Sequence, residues 1–417
     1  MEENTTYFKA FKFRLEPTPD QSVLLSKHFG CARFVFNYFL KEKQEHYLLN
    51  KKTLNYNNCS GIMTNLKKKE EYSWLSEVNS QCLQAALKNL ETAYGNFFRK
   101  KSKFPRFKSK KVNTDSFHCP QFVSVEKNKV FIPKFKDGIS FIKHREIKGK
   151  VRSATLSRTP TGKHYVSILC ELPLEEPLKK TGKSVGVDLG LKDFLITSDG
   201  KRFKNERHLK QHLKELKEQQ KHFSRKQKES KRRERQRLKV ARLHEKITNS
   251  RSNMHHQISS FLVKNYDLIT LESLNVKGMM ANHKLAQSIS DVAWSGFVSK
   301  LEYKAKWYGK EVVRIETFFP SSKTCSCCGH QKSDLSLNDR EWTCSQCNTK
   351  HDRDVNAAKN ILQRGITIQS SGTDDYRHGA KIRPEKKFKG TSVEMSKKKG
   401  RTYTLKPVGL WPTGSSR

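Results

Sequence analysis

The 417-residue chain carries 83 Lys and Arg against 41 Asp and Glu, a formal net charge of +42. Such an excess calls for a polyanionic partner, and no apolar run approaches the roughly 20 residues that span a bilayer, so nucleic acid is expected and membrane is not. The ten cysteines include five scattered ones (Cys31, Cys59, Cys82, Cys119 and Cys170) that make no secreted disulfide framework, and Met1–Thr6 is acidic and polar, unlike a signal peptide, so a reducing, cytoplasmic compartment is expected.

Tyr7 to Leu15 alternates, with Phe11, Phe13 and Leu15 on one face and Lys12 and Arg14 on the other, as in a half-buried strand. Thr18-Pro19-Asp20-Gln21 then supplies an N-cap, a first-turn proline and the glutamine of a capping box. Gly30 is expected to end that helix, and Ala32 to Glu45 to begin another. Leu83, Leu87, Leu90, Tyr94 and Phe97 recur at helical spacing and are read as core. Residues 18–111 therefore form a helical domain inserted after one strand. Its last stretch, Arg99 to Lys111, interleaves Phe104 and Phe107 with basic residues. That composition suits an RNA contact, with phosphates neutralised and bases stacked, and equally a solvated linker. Strands follow over Lys129–Phe135, Ile139–Lys143, Val151–Arg158 and His164–Leu172, the last two flanking the turn Pro160-Thr161-Gly162-Lys163. With the first strand they predict a small antiparallel β-barrel over 1–17 and 112–181.

From Lys183 the pattern changes. Ser184-Val185-Gly186-Val187-Asp188-Leu189-Gly190 is a buried strand ending on a carboxylate, followed by Phe194–Thr197 and a turn at Asp199-Gly200. Asp267 to Glu272 repeats the arrangement, an apolar strand ending on a carboxylate. Glu311–Ile315 is a further strand, preceded by a helix with Trp294, Phe297, Leu301 and Tyr308 on one face and stopped by Gly309. This order predicts an α/β sheet domain. Between the first two carboxylates, Lys201–Lys246 holds nineteen Lys or Arg against six Glu. Leu209, Leu213, Leu216 and Phe223, then Val240, Leu243 and Ile247, give it the stripes of a helical hairpin with a basic exterior, suited to a phosphate backbone but carrying no sequence code. Cys325 and Cys328 form one Cys-x-x-Cys pair, Cys344 and Cys347 another, a spacing that suits one tetrahedral structural zinc, with a disulfide pair as the weaker alternative. Cys327, inside the first pair, is a spectator. Asp354 opens a helix over Val355–Leu362. The tail, 370–417, mixes Gly, Ser, Lys and Pro without periodicity and is expected to be disordered.

Asp188, Glu272 and Asp354 stand out as three acids, two at strand ends and one at a helix start. Hard divalent cations take oxygen ligands, and clustered carboxylates can hold two Mg²⁺ for in-line displacement at phosphorus; strand-end carboxylates are also common surface residues. The wording around them is more specific. V-G-V-D-L-G-L, L-E-S-L-N-V-K-G-M, the four-cysteine ribbon and D-R-D-V-N-A-A-K-N-I resemble the nuclease motifs of TnpB, the RNA-guided endonuclease of bacterial transposable elements, similar to the miniature type V CRISPR effectors. The resemblance covers about residues 7–365 and is strongest from Ser184 onward.

The resemblance implies a multidomain α+β and α/β chain: the β-barrel with its helical insert, then an RNase H-like (RuvC-like) nuclease domain over 182–320 and 348–369, with the basic hairpin at 201–260, interrupted by a zinc ribbon over 321–347. It implies Asp188, Glu272 and Asp354 as catalytic ligands of two Mg²⁺, and Cys325, Cys328, Cys344 and Cys347 as ligands of one Zn²⁺. Asp352 sits at the wrong motif position and is left out. It further implies a guide RNA, one protein per guide, and target DNA cut next to a short adjacent motif, with pairing selecting the target. Competing readings are a non-cleaving RNA-guided DNA-binding regulator, a transposase that joins strands, and a zinc-ribbon RNA-binding protein. The last would leave the three acids unexplained.

Overall fold

Strand β1 (Thr6–Glu16) opens the computed structural model, which describes residues 6–110, 115–173, 177–336 and 339–371. Helix α1 (Pro19–Asn50) starts as its sequence dictates: the Thr18 side chain accepts from the Gln21 amide, and the Gln21 side chain accepts from the Thr18 amide. Gly30 does not end it. A glycine costs a helix about 1 kcal/mol relative to alanine, but Leu25, Phe29, Ala32, Phe36 and Phe39 keep one buried stripe running through that position. Several buried side chains outweigh one unfavourable propensity. Helix α2 (Tyr56–Leu66), a 3₁₀ segment (Glu70–Glu77) and helix α3 (Ser80–Phe98) complete the helical insert.

The chain then forms β2 (Asp115–Cys119), β3 (Ser124–Glu126), β4 (Lys129–Ile132), β5 (Phe135–Phe141), β6 (Lys150–Arg158) and β7 (His164–Pro173). These pair with β1 in one antiparallel seven-stranded sheet, in the order β2-β6-β7-β1-β5-β4-β3. The single strand expected over 129–135 is two, because Lys134 turns to a positive φ of 75° between them. One buried cluster runs from Leu25, Phe39, Leu83 and Leu90 on the helices to Phe13 and Ile168 on the sheet. The basic run after α3 is pinned to α1: Asn37 exchanges two hydrogen bonds with the Lys108 backbone, and the Lys108 ammonium lies 4.1 Å from the Phe36 ring centroid. Phe107 remains exposed.

The second half builds β8 (Ser184–Leu189), β9 (Asp193–Thr197), β10 (Arg202–Lys204), α4 (His208–Arg225), α5 (Lys231–Asn265) and β11 (Leu268–Glu272). Helices α6 (Val276–Met279), α7 (His283–Val292) and α8 (Trp294–Trp307) lead to β12 (Glu311–Ile315). The strands form a five-stranded sheet, β10-β9-β8-β11-β12, with β8, β11 and β12 parallel and β9 and β10 antiparallel. Leu262 of α5 and Phe297 and Leu301 of α8 pack with Val185, Val187 and Ile269 of the sheet. Helices α4 and α5 form the basic hairpin, closed by Leu216, Leu243 and Ile247. A short ribbon, β13 (Glu341–Thr343) with β14 (Lys350–Asp352), precedes α9 (Arg353–Ser370). That helix runs two turns beyond the expected Leu362, because Gly365 and Ile368 remain buried, with Ile361 and Ile368 packed on Leu268, Val313 and Ile315. Most of the expected disordered tail, residues 372–417, lies outside the described residues. Among the described residues no helix is long and apolar enough to cross a membrane.

Candidate active site and metal centre

Parallel register brings the first two acids together. Val187 of β8 lies opposite Leu271 of β11, so Asp188 and Glu272, the next residue on each, stand side by side at the carboxyl ends of neighbouring strands. The third acid arrives on α9, which approaches the sheet as closely as backbone allows. A side chain at Gly186 would fall 1.9 Å from the Ala358 carbonyl oxygen, and one at Gly365 would fall 2.2 Å from Thr270 Cγ2. Glycine in V-G-V-D is therefore what lets the helix lie against β8, two residues before Asp188. Asp352 caps the helix, accepting from the Asp354 and Val355 amides at 3.1 and 3.0 Å, and thereby fixes the turn that carries Asp354.

Asp188 feels the other two carboxylates. Burial, then the charges of Glu272 and Asp354, push the Asp188 carboxyl up to about 7. Burial raises Glu272 as well, opposed by the Ser321 hydroxyl, which donates to its Oε1 at 2.5 Å. Asp354 is held by guanidiniums instead: Arg340 at 3.3 Å and Arg202 at 3.9 Å, with Arg202 also bound to Asp352 at 2.6 Å. Negative charge is thus concentrated where cationic groups already gather, and carboxylate oxygens are the donors hard divalent cations take.

The cysteines form the tighter centre. Among the described residues, Cys325, Cys328, Cys344 and Cys347 are the one His/Cys/Asp/Glu group whose ligand atoms all lie within 4.8 Å of one another. The Cys325–Cys347 and Cys328–Cys344 sulfurs are 3.6 Å apart, far beyond the roughly 2.05 Å of a disulfide. Four sulfurs about 2.3 Å from a tetrahedral zinc would lie about 3.8 Å apart, so the quartet fits that ion. Cys327 is exposed and outside the cluster. The Thr349 hydroxyl and backbone amide pull the Cys347 thiol down to about 6, whereas burial pushes the Cys325 thiol up, so the geometry of the quartet and not its acidity carries the metal reading.

Several further residues hold these sites in place. Asn356 and Asn360, one turn apart on α9, tie that helix to the first knuckle. Asn356 accepts from the Ser326 amide and donates to the Thr324 carbonyl at 2.7 Å; Asn360 donates to the Ser321 and Thr324 carbonyls. Buried asparagines spaced i, i+4 on an alanine-rich helix could have revealed them. His351 places Nε2 3.0 Å from Cys325 Sγ, and burial lowers its pKa, leaving a neutral ring that can donate to the thiolate. Arg202 and Arg340 had no such signal, since each comes from a different element.

Three family descriptions match the chain: "Probable transposase" over residues 167–283, "Cas12f1-like, TNB domain" over 294–361, and "Helix-turn-helix domain" over 8–52. The last stretch is folded here as β1 and the single helix α1. A "Putative RNA-guided DNA endonuclease" of Streptomyces pristinaespiralis is 37% identical over 95% of this chain and 97% of its own length. The similarly described InsQ of Escherichia coli (strain K12) is 32% identical over 87% of this chain and 94% of its own. In fold, the chain is similar to the protein in a cryo-EM structure of a Cas12f1–sgRNA–target DNA complex, with a TM-score of 0.54, 14% identity, and coverage of 86% of this chain and 99% of that one. With near-full-length similarity to such relatives, on top of its own acids and cysteines, the chain belongs to the TnpB family of RNA-guided DNA endonucleases.

Proposed function

We propose that the chain is an RNA-guided DNA endonuclease of a transposable element, cutting target DNA next to a short adjacent motif by two-metal-ion phosphodiester hydrolysis. The observation that carries this reading is the convergence of Asp188, Glu272 and Asp354 at the carboxyl edge of one sheet, in a chain similar over nearly its whole length to relatives described as such enzymes. Strand order supports an RNase H-like (RuvC-like) domain: third, second, first, fourth and fifth strands in sequence, with the first, fourth and fifth parallel. The seven-stranded sheet with its helical insert is the proposed barrel and recognition half.

In this reading Asp188, Glu272 and Asp354 hold two Mg²⁺. When bound, such ions stabilise the attacking and leaving oxygens of the displacement. The protein's own part is positional. The β8–β11 register sets two carboxylates, the Gly186 contact and the Asp352 cap set the third, and Ser321 orients Glu272. Arg202 and Arg340 pair with Asp354 and restrain its side chain at the site. The cysteine quartet holds one structural Zn²⁺, and four thiolates leave that ion no open position for water. The basic hairpin and the pinned basic run neutralise phosphates of the guide RNA and target DNA.

The test is direct. RNA that co-purifies with the protein is sequenced, and a duplex matching its guide segment is offered with Mg²⁺. Cleavage is expected, and Asp188→Ala, Glu272→Ala or Asp354→Ala should each abolish it while leaving RNA and target binding intact. A parent-rate cut by Asp188→Ala would refute the carboxylate assignment. Target binding without any cut by the parent would favour a non-cleaving regulator.

A further inference from the structure

The loop after β12 carries an aromatic side chain that the fold leaves unused. Phe318 is 90% exposed and sits at a positive φ of 81°, a region that bulky side chains rarely adopt. Its neighbour Phe319 behaves as an apolar residue should, packing on the Val313–Ile361 cluster. The loop is held at both ends. Glu316 is paired with Arg364, and Ser321 donates to Glu272 while its carbonyl accepts from Asn360. Clamped in this way, the chain turns Phe318 outward with its backbone in an unfavourable conformation. Observed strain of this kind points to function.

What lies beside it names the partner. Phe318 shares the wall of a cleft of about 310 Å³ with Glu272, Ser273, Asn275, Met279 and Ser322. Glu272 is one of the three acids of the proposed nuclease site, so a strand threaded to those acids passes the Phe318 ring. An exposed ring on a stiff loop has two open faces, and every nucleobase has a π-face to meet one of them, whatever the sequence.

We infer that Phe318 is a stacking platform for a base of the single-stranded DNA entering the carboxylate site, a positioning residue that fixes the strand for cleavage. The inference rests on the nuclease reading. It adds a specific substrate contact and explains why a strained, solvent-facing phenylalanine occupies a position that glycine would hold without strain.

Base–aromatic stacking is worth roughly 1–3 kcal/mol by alanine substitution, or about 5- to 150-fold at 1.4 kcal/mol per decade. The guide-loaded Phe318→Ala variant should therefore lose about 5- to 150-fold in kcat/KM on a matched duplex, and Phe318→Trp should restore it. Phe318→Gly should cleave as poorly as Phe318→Ala yet melt higher than the parent, because it removes the positive-φ penalty. In the non-cleaving Asp188→Asn complex, irradiating a target strand substituted with 5-iodouracil should give an adduct on Phe318. Parent-rate cleavage by Phe318→Ala, equal rescue by Phe318→Leu, or an adduct confined to other residues would each overturn the platform. A parent that cuts no matched duplex overturns the nuclease reading instead, and the crosslink, which needs no cleavage, then decides the platform by itself.

Discussion

Removing the charge of Asp188 should make the magnesium-free protein more stable, and by an amount that depends on pH. Its carboxyl is pushed to about 7 from an ordinary value of 3.8, first by burial and then by Glu272 and Asp354. The folded protein therefore keeps that proton up to about pH 7, whereas the unfolded chain releases it near pH 4. Between these values unfolding releases a proton, so stability falls as pH rises through the window and levels off above it. About three pKa units at 1.36 kcal/mol each give roughly 4 kcal/mol, and the partial exposure of Asp188 reduces that to about 2–4 kcal/mol. Asp188→Asn removes the titration with little change of shape. In magnesium-free buffer at pH 8 its transition should lie about 4–10 °C above the parent's, with the gap closing towards pH 4. Adding Mg²⁺ should raise the parent and narrow the gap. The assay is scanning calorimetry of both proteins at half-unit pH steps. A variant that melts at or below the parent at pH 8, or a gap that stays constant with pH, would refute the picture of a crowded, desolvated acid.

Three other outcomes follow from named contacts. Gly186→Ala should force α9 off β8, since the new methyl would meet the Ala358 carbonyl at 1.9 Å; we expect a loss of about 3 kcal/mol or more in a melting curve, with cleavage falling further than guide binding. Lys231, Arg232 and Arg235 point into solvent, whereas Arg233 is bound to the Phe223 and Lys226 carbonyls and Arg237 to Glu234. Changing the first three together to Gln should lower the slope of log K against log salt by up to about 2.7, and an unchanged slope would make the hairpin tip a bare solvated face. Cys344→Ser should lose one zinc by elemental analysis, lower the melting temperature and weaken cleavage, while Cys327→Ser keeps the metal; zinc lost from the second, or retained by the first, contradicts the ligand set.

What the sequence made legible was local. The capping box at Thr18, the alternation of β1, the strand endings on Asp188 and Glu272 and the Cys-x-x-Cys spacing are each set within a few residues, and the elements form where those patterns lie. Gly30 misled because propensity is local whereas the stripe from Leu25 to Phe39 is buried by elements far along the chain. The three-residue strands β3 and β10 are too short for periodicity, and exist because longer neighbours offer them hydrogen bonds. The clamp of Arg202 and Arg340 on Asp354 joins residues from separate elements, and no spacing rule reaches across them. Phe318 reads in sequence as one more apolar residue beside Phe319, and only the turn of the backbone sets the two apart.

The close seat of α9 on Gly186 also bears on how the protein is made. The proposed third carboxylate and the helix that carries it are synthesised after both cysteine pairs. A nascent chain that has emerged only through β12 already has the basic hairpin proposed to hold nucleic acid, yet the face of β8 that receives α9 is bare and the proposed acid set is incomplete. On the proposed acid set, cutting waits until translation has passed the ribbon and the last helix has docked, which would spare a ribosome-bound intermediate from acting on whatever polynucleotide it meets first.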